Sequence, residues 1–128
     1  MSYYISKITN LSYDETLVKV EEELKKEGFG VLTEIDVKAT LKKKIDVDFK
    51  KYKILGACNP TFAHKALTSE DKIGVMLPCN IIVQENDDQT VEVSAVNPIV
   101  AMSSVGNESL GEIAQQVTEK LQNVIDRI

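Results

Sequence analysis

The sequence predicts an α+β protein in which a single mixed or antiparallel sheet carries two long helices on one face. Stretches of period two alternate with stretches of helical spacing, in the order β-α-β-α-β-α-β-β-α. The only two strands that follow one another directly, 80–85 and 90–96, are joined by the turn Asn86-Asp87-Asp88 and therefore pair antiparallel. The length of 128 residues and the 43% hydrophobic content suit one domain over residues 1–128.

The first two elements are a strand and a long amphipathic helix. Residues 2–9 are short, aromatic and β-branched, which is typical of a strand. Ser12 followed by Glu15 forms a capping box, and Gly28 stands where a helix would stop. Together they predict a helix over 12–27. Its apolar residues recur at spacings of three and four: Tyr13, Leu17, Val20 and Leu24.

The next segment predicts a strand followed by a short helix. From Phe29 to Val37 the apolar residues alternate with others, which predicts a strand with one buried face. Asp36 is placed to cap a helix at about 37–45. The lysines of this helix are interpreted as a solvated face rather than as an anion site.

The central stretch predicts two strands and a capped helix. Residues 52–58 form a strand that ends at Cys58, and Asn59-Pro60 is a strong helix start, because Asn caps free N–H groups and Pro suits the first helical position. This helix should run to about Leu67. A long strand over 74–85 follows, with Pro78 as an interruption.

The last part of the chain predicts one long helix. Asn97-Pro98 repeats the helix start, although the apolar piece after it is long enough for only about one turn. Ser109 with Glu112 forms a second capping box and predicts a helix over 108–127. The apolar face of this helix is continuous: Leu110, Ile113, Ala114, Val117, Leu121, Val124, Ile125 and Ile128.

Charge and composition exclude two classes of partner. The net charge is −5 and Arg127 is the only arginine, which disfavours a nucleic-acid partner because such affinity comes mainly from Lys and Arg on phosphates. No apolar run approaches the ~20 residues that cross a bilayer, and the N-terminus lacks the pattern of a signal peptide. We therefore expect a cytoplasmic protein with no membrane association, whose two cysteines are reduced.

The two cysteines are the strongest candidates for chemistry. Cys58 precedes a capped helix start, where unpaired N–H groups favour an anion, and Cys79 lies in a strand that could neighbour it. They could form a redox pair, a thiol nucleophile with a resolving thiol, or a soft-metal site. The alternative is that both are small buried apolar residues, since free Cys is among the most buried residue types.

A metal site is a weaker alternative. Zinc takes at least three protein ligands, and His64 is the only histidine that could join Cys58 and Cys79. Neither a CxxC nor an HxxxH spacing occurs in the chain. The sequence therefore predicts no bound metal and no cofactor, with zinc on these three residues as the alternative.

The motifs together resemble a known family. The chain contains Glu-Ile-Asp-Val-x-Ala-Thr-Leu-Lys at 34–42, Tyr-x-Ile-Leu-Gly-Ala-Cys-Asn-Pro at 52–60 and Leu-Pro-Cys-Asn at 77–80. In this it resembles the domain-of-unknown-function 302 family of small prokaryotic proteins. The resemblance implies an α+β fold similar to the TATA-box-binding-protein group, commonly found as a homodimer, and it brings no established activity.

These observations favour a binding domain over an enzyme. The first hypothesis is a non-enzymatic small-ligand-binding or interaction domain that acts as a homodimer. Its candidate ligand-binding residues are Asp36, Cys58, Asn59, Cys79 and Asn80. The competing hypothesis is a thiol-dependent redox or sulfur-handling protein in which Cys58 reacts and Cys79 resolves it.

Overall fold

One antiparallel sheet of five strands organises the molecule. The computed structural model describes all residues from Met1 to Ile128. The strands are β1 (Tyr4–Thr9), β2 (Gly30–Asp36), β3 (Tyr52–Cys58), β4 (Cys79–Glu85) and β5 (Val91–Val96). Their order across the sheet is β1-β5-β4-β3-β2, and every neighbouring pair is antiparallel.

Five α-helices and one 3₁₀ helix accompany the sheet. They are α1 (Tyr13–Lys26), α2 (Val37–Ile45), α3 (Pro60–Ser69), the 3₁₀ helix (Asp71–Met76), α4 (Pro98–Ser103) and α5 (Ser109–Asp126). The two long helices, α1 and α5, contact each other and both pack on the sheet. The predicted fold class and element order are confirmed, with the 3₁₀ helix and α4 as short additions. None of these helices has both the length and the apolar character that crossing a bilayer requires.

The main core lies between the sheet and the two long helices. Alternate residues of the central strands face the helices, and residues that oppose each other across an antiparallel ladder share a face. The buried strand residues on this face are Leu55, Ala57, Ile81, Val83, Val91, Val93 and Ala95. Against them pack Val20 and Leu24 of α1 and Val117, Leu121, Val124 and Ile125 of α5. The helical stripes predicted from the sequence are therefore the stripes that form the core.

Two of the predicted helix starts are confirmed by their hydrogen bonds. At α1, the Glu15 N–H donates to Ser12 Oγ at 3.2 Å and the Ser12 N–H donates to Glu15 Oε1 at 3.1 Å, which is a complete capping box. At α2, the Ala39 N–H donates to Asp36 Oδ1 at 2.9 Å. Gly28 follows α1 with φ +84°, a conformation that glycine adopts without steric cost.

The second predicted capping box is wrong. The residue before α5 is Glu108, whose side chain makes no capping hydrogen bond. Asn107 takes that role instead, because its Oδ1 accepts from the Ser109 N–H at 3.0 Å and from the Ser109 hydroxyl at 2.6 Å. Ser109 is itself the first residue of α5, so it does not occupy the position before the helix that a capping box requires.

The predicted strand over 74–85 is too long at its start. Residues 71–76 form the 3₁₀ helix, and the strand begins only at Cys79. Ile73 is buried against Ala66 and Leu110 in a second apolar cluster, which ties this segment to the helices instead of the sheet. Pro78 has no N–H to donate to a ladder, so pairing starts at the residue after it.

The predicted buried face of β2 is also wrong. The register shifts between Val31 and Thr33, so Leu32 has no partner on β3. One extra residue moves the side chains that follow to the opposite face of the sheet. Ile35 consequently opposes Ile54 on the face away from α1 and α5 and remains 48% exposed. β2 is an edge strand with mostly exposed side chains.

The face of the sheet opposite the long helices carries exposed apolar side chains. Tyr4 and Ile8 on β1 and Ile35 on β2 point to this side and are 45%, 51% and 48% exposed. Ile54 and Ile82, on the strands between them, are only partly covered. We call this surface the open face of the sheet.

We predict that Gly56→Ala destabilises the fold and that Gly30→Ala does not. A Cβ at Gly56 would overlap the Thr33 side chain and lie 2.8 Å from Cγ of Pro78, whereas a Cβ at Gly30 would meet no atom within 4 Å. Overpacking of this kind costs roughly 1–3 kcal/mol. Urea unfolding should show that loss for Gly56→Ala only. Equal stability of the two variants would contradict the close packing at Gly56.

Candidate thiol-lined pocket

An apolar pocket lies where β3 ends and β4 begins. Its volume is about 380 Å³, and 13 of its 17 lining residues are hydrophobic. Its walls come from α3, from the segment around the 3₁₀ helix and from α5. Phe62, Leu77, Ile113 and Val117 are among the apolar side chains of these walls, and Met102 of α4 joins them. The pocket lies beside the main core, which Val117 also helps to form.

Small side chains on both sides create the space. The sheet contributes Ala57, Cys58 and Cys79, and α3 contributes Ala63 and Ala66 across from them. Protein interiors are normally filled at crystal-like density, so short side chains that face each other leave a gap unless a neighbour enters it. Here the neighbouring α5 and the 3₁₀ segment surround the gap without filling it.

Both cysteines line this pocket. Cys58 is the last residue of β3, and Cys79 opposes its neighbour Ala57 in the ladder between β3 and β4. Both are free thiols and both are partly buried. Burial raises the pKa of Cys79 to about 11, and the nearby Cys58 adds to this rise. The Cys79 thiol is therefore protonated at neutral pH. The prediction that the strand of Cys79 neighbours the strand of Cys58 is confirmed by the pairing of β3 with β4.

The Asn59 side chain forms hydrogen bonds that join the start of α3 to the end of α1, next to the pocket. Its Oδ1 accepts from the Phe62 N–H at 3.5 Å, which caps α3 as the sequence predicted. Its Nδ2 donates to the Glu27 carbonyl at 3.2 Å, across to the end of α1. A Cβ at Gly28 would come within 3.0 Å of this amide nitrogen. Both ends of the Asn59 amide are thus engaged inside the protein.

Glu27 joins three helices at this end of the pocket. Besides the backbone bond from Asn59, its carboxylate accepts from Arg127 NH1 at 3.0 Å and from Asn123 Nδ2 at 3.2 Å, both in the last turns of α5. The Arg127 guanidinium, followed by the Asn123 amide, lowers the pKa of Glu27. The ends of α1 and α5 and the start of α3 are held together at this one residue.

Two of the five candidate ligand residues lie elsewhere. Asp36 caps α2 and opposes Lys53, at the end of β3 away from Cys58. Asn80 follows Cys79 directly and so points to the other face of the sheet, where it lines a depression on the open face with Tyr52. The structure thus brings together Cys58, Cys79 and Asn59 and separates Asp36 and Asn80 from them.

His64 does not join the two thiols. It lines a separate surface pocket between α3 and α5, together with Lys65 and Thr68. No three side chains of the His, Cys, Asp and Glu types lie close enough together to hold a metal ion. The alternative zinc site on Cys58, Cys79 and His64 therefore lacks its third ligand in this structure.

The walls of the pocket include residues that were not predicted from the sequence as part of a site. Met102, Ile113 and Leu32 come from segments far apart in the chain, and only the fold brings them together. The pair Ala63 and Ala66, three residues apart on one helical face, was the one available signal, because small residues at such spacing leave room beside a helix.

The fold and the site define a small α+β domain with a pocket lined by apolar side chains and two thiols. The chain belongs to the family described as "Domain of unknown function DUF302", whose model matches residues 5–128. This confirms the resemblance read from the sequence motifs. No curated protein matches the chain.

A solved structure of similar fold supports the family assignment. The crystal structure of an uncharacterized conserved DUF302 protein from Bacillus stearothermophilus shares 30% sequence identity with this chain and has a TM-score of 0.93. The match covers 99% of this chain and 98% of that one. The likeness of fold therefore extends over the whole sheet and its helices.

We predict that Cys79 is a slow nucleophile in the folded protein. In a Cys58→Ser variant, alkylation of Cys79 by iodoacetamide at pH 8 should be about 100-fold slower in buffer than in urea, because a thiol of pKa about 11 is rarely ionised there. The rate should rise about tenfold per pH unit between pH 7 and 9.5. A plateau below pH 9 would contradict the raised pKa. Cys79→Ser, which leaves Cys58 alone, is the comparison.

Proposed function

We propose that this protein is a non-enzymatic small-ligand-binding domain and that the thiol-lined pocket is its binding site. The observation that carries the proposal is the pocket itself, which is preformed and mostly apolar. Its volume of about 380 Å³ lies within the roughly 300–1,000 Å³ of known small-molecule sites. Cys58, Cys79 and Asn59 would be the candidate ligand-binding residues that belong to it.

The composition of the pocket favours binding over catalysis. None of its lining residues is a His, Lys, Arg, Asp or Glu. A thiol nucleophile is activated by a neighbouring base, a cation or a helix N-terminus, and general acid–base catalysis requires a titratable group near neutral pH. The lining supplies no base and no cation, and the start of α3 beside Cys58 is already capped by Asn59. The raised pKa of Cys79 also disfavours catalysis, because the thiolate is the nucleophilic form of a thiol.

The thiol-dependent alternative has one observation in its favour. Cys58 and Cys79 line the same pocket, so an oxidant that entered there would meet both sulfurs. Under this alternative the two thiols would be reduced in a reducing cytoplasm and would be oxidised as a pair. The net charge of −5 continues to disfavour a nucleic-acid partner under either proposal.

We expect small fragments to bind in the pocket and a filled pocket to reject them. A fragment library of mixed charge, screened by two-dimensional NMR of the labelled protein, should shift the amides of Cys58, Phe62 and Cys79. Ala63→Phe places a ring in the pocket and should abolish these shifts. Thr61→Phe adds the same ring at an exposed position of α3 and should retain them.

Two results of this screen would contradict the proposal. One is the absence of any fragment that shifts the pocket amides. The other is a set of hits that bind equally to Ala63→Phe, because such hits occupy another surface. The thiol-dependent alternative would instead predict that mild oxidation removes two titratable thiols at once from the wild type, with the loss of about 2 Da in mass.

We also propose that the protein acts as a homodimer through the open face of the sheet. Exposed apolar side chains lie at both edges of this face, Tyr4 and Ile8 on β1 and Ile35 on β2. The partly covered Ile54 and Ile82 continue the apolar surface from Ile35 towards the middle of the sheet, and exposed apolar surface of this kind is typical of an interaction site. An acidic protein repels its copies at long range, so an apolar face is the surface most able to bring two copies together.

The dimer is tested by a charge placed on the open face. Sedimentation equilibrium should give twice the chain mass of 14.2 kDa for the wild type. Ile8→Lys and Ile35→Lys should shift it towards one chain mass, because each buries a lysine in the interface. Val18→Lys, at a 58% exposed position on α1, is the matched control and should leave the dimer intact. A monomeric wild type at 100 µM would contradict the proposal.

A further inference from the structure

We propose that the thiol-lined pocket selects an uncharged, apolar molecule as its ligand. This inference rests on the proposed function and adds the chemical class of the ligand. The occupant we infer is a neutral aromatic or aliphatic molecule, held by shape and burial rather than by ion pairs. Three features of the pocket point to this class, and a pair of lysines outside the lining defines the competing class.

The first feature is the absence of charge in the lining. None of the 17 lining residues is a Lys, Arg, His, Asp or Glu, and the hydrophobic ones include Phe29, Leu77 and Met102. An ion that loses its water without gaining a partner is strongly disfavoured in such an environment. The raised pKa of Cys79 is consistent with this, because burial in the pocket disfavours the negatively charged thiolate.

The second feature is that the strongest polar groups near the pocket are already engaged. The Asn59 amide donates to the Glu27 carbonyl and accepts from the Phe62 N–H. The Ala63 N–H donates to the Asn59 carbonyl at 2.9 Å. The first turn of α3 therefore offers few free N–H groups, although a helix start is otherwise a ready anion site. A carboxylate or phosphate in the pocket would find few donors.

Two lysines lie outside the lining, near the Phe62 ring. The Lys65 and Lys120 ammonium nitrogens lie 5.4 and 5.9 Å from the centroid of the Phe62 ring. Both are within the distance at which a cation is attracted to an aromatic face. Neither is part of the lining, so a charge that they stabilise would remain outside the pocket. These lysines define the competing class of ligand, an amphipathic anion whose apolar part lies in the pocket and whose charged group lies outside it, near Lys65 and Lys120.

The third feature is the size of the space. At about 30 Å³ for each water in the liquid, 380 Å³ corresponds to roughly a dozen waters. A compact aromatic or aliphatic molecule of two or three rings is of matching size.

The test compares two dyes that share one ring skeleton. N-phenylnaphthylamine is uncharged at pH 7, and anilinonaphthalene sulfonate is the same skeleton with a sulfonate attached. Fluorescence titration of the full chain should show saturable binding of the neutral dye, one per chain. The sulfonate should bind at least tenfold more weakly, because the pocket supplies no cation to it. Equal or tighter binding of the sulfonate would overturn the inference.

Two substitutions and a protection experiment test whether the dye binds in the pocket. Ala63→Phe should weaken binding of the neutral dye at least tenfold, and Thr61→Phe on the exposed side of α3 should leave it unchanged. Because Ala63→Phe could also disturb folding, a measurement on the unmodified pocket accompanies it. Saturating neutral dye should slow the alkylation of Cys58 by iodoacetamide at least fivefold in a Cys79→Ser protein. Unchanged alkylation would show that the dye binds elsewhere and would overturn the inference.

A last comparison separates this inference from the proposed function. If the sulfonate binds better and Lys65→Gln with Lys120→Gln removes that advantage, the ligand is an amphipathic anion. The inferred class is then wrong while the binding function stands. If neither dye binds and no fragment shifts the pocket amides, the binding function itself fails. Preference for the neutral dye, unchanged by the two lysine substitutions, supports the inferred class.

Discussion

Burial of one face of the sheet under α1 and α5 is the constraint on which the rest of the structure depends. The strands alternate so that Leu55, Ile81 and Val93 point into the core, and the stripes of the two long helices cover them. With both long helices on that side, the open face keeps its apolar residues in contact with solvent. The same arrangement leaves the junction of β3 and β4 to be covered by the shorter α3, and the pocket forms there.

The pocket and its frame use different residues. Alanine and cysteine provide the space because they are small, whereas Asn59 and Glu27 provide rigidity because their polar atoms are bonded across helices. This separation explains why Asn59, although it lines the site, uses one donor and one acceptor of its amide to hold α3 in place. It also explains why the two thiols need no chemical role to be useful, since a thiol packs as a small apolar side chain.

The sequence predicted the elements whose signals are local. Ser12 with Glu15, Asp36 and Asn59-Pro60 begin helices as expected, because a cap depends on atoms within one turn. The wrong predictions concern segments whose structure depends on residues outside the local pattern. Ile73 is drawn into a helical cluster, a bulge at Leu32 reverses the faces of β2, and Asn107 displaces Ser109 as the cap of α5. For the site, the neighbourhood of the two strands that carry the cysteines was predicted from the sequence, whereas the separation of Asp36 and Asn80 required the register of the sheet.

The junction at Glu27 has a mechanical consequence for the pocket. Because α3 is bonded to the carbonyl of Glu27 and α5 to its carboxylate, the three helices share one fixed point. The other end of α3 is held as well, because Ala66 packs with the buried Ile73 of the 3₁₀ helix and with Leu110 of α5. The walls of the pocket are thus tied at both ends by contacts that no ligand makes, and the shape of the pocket is a property of the fold.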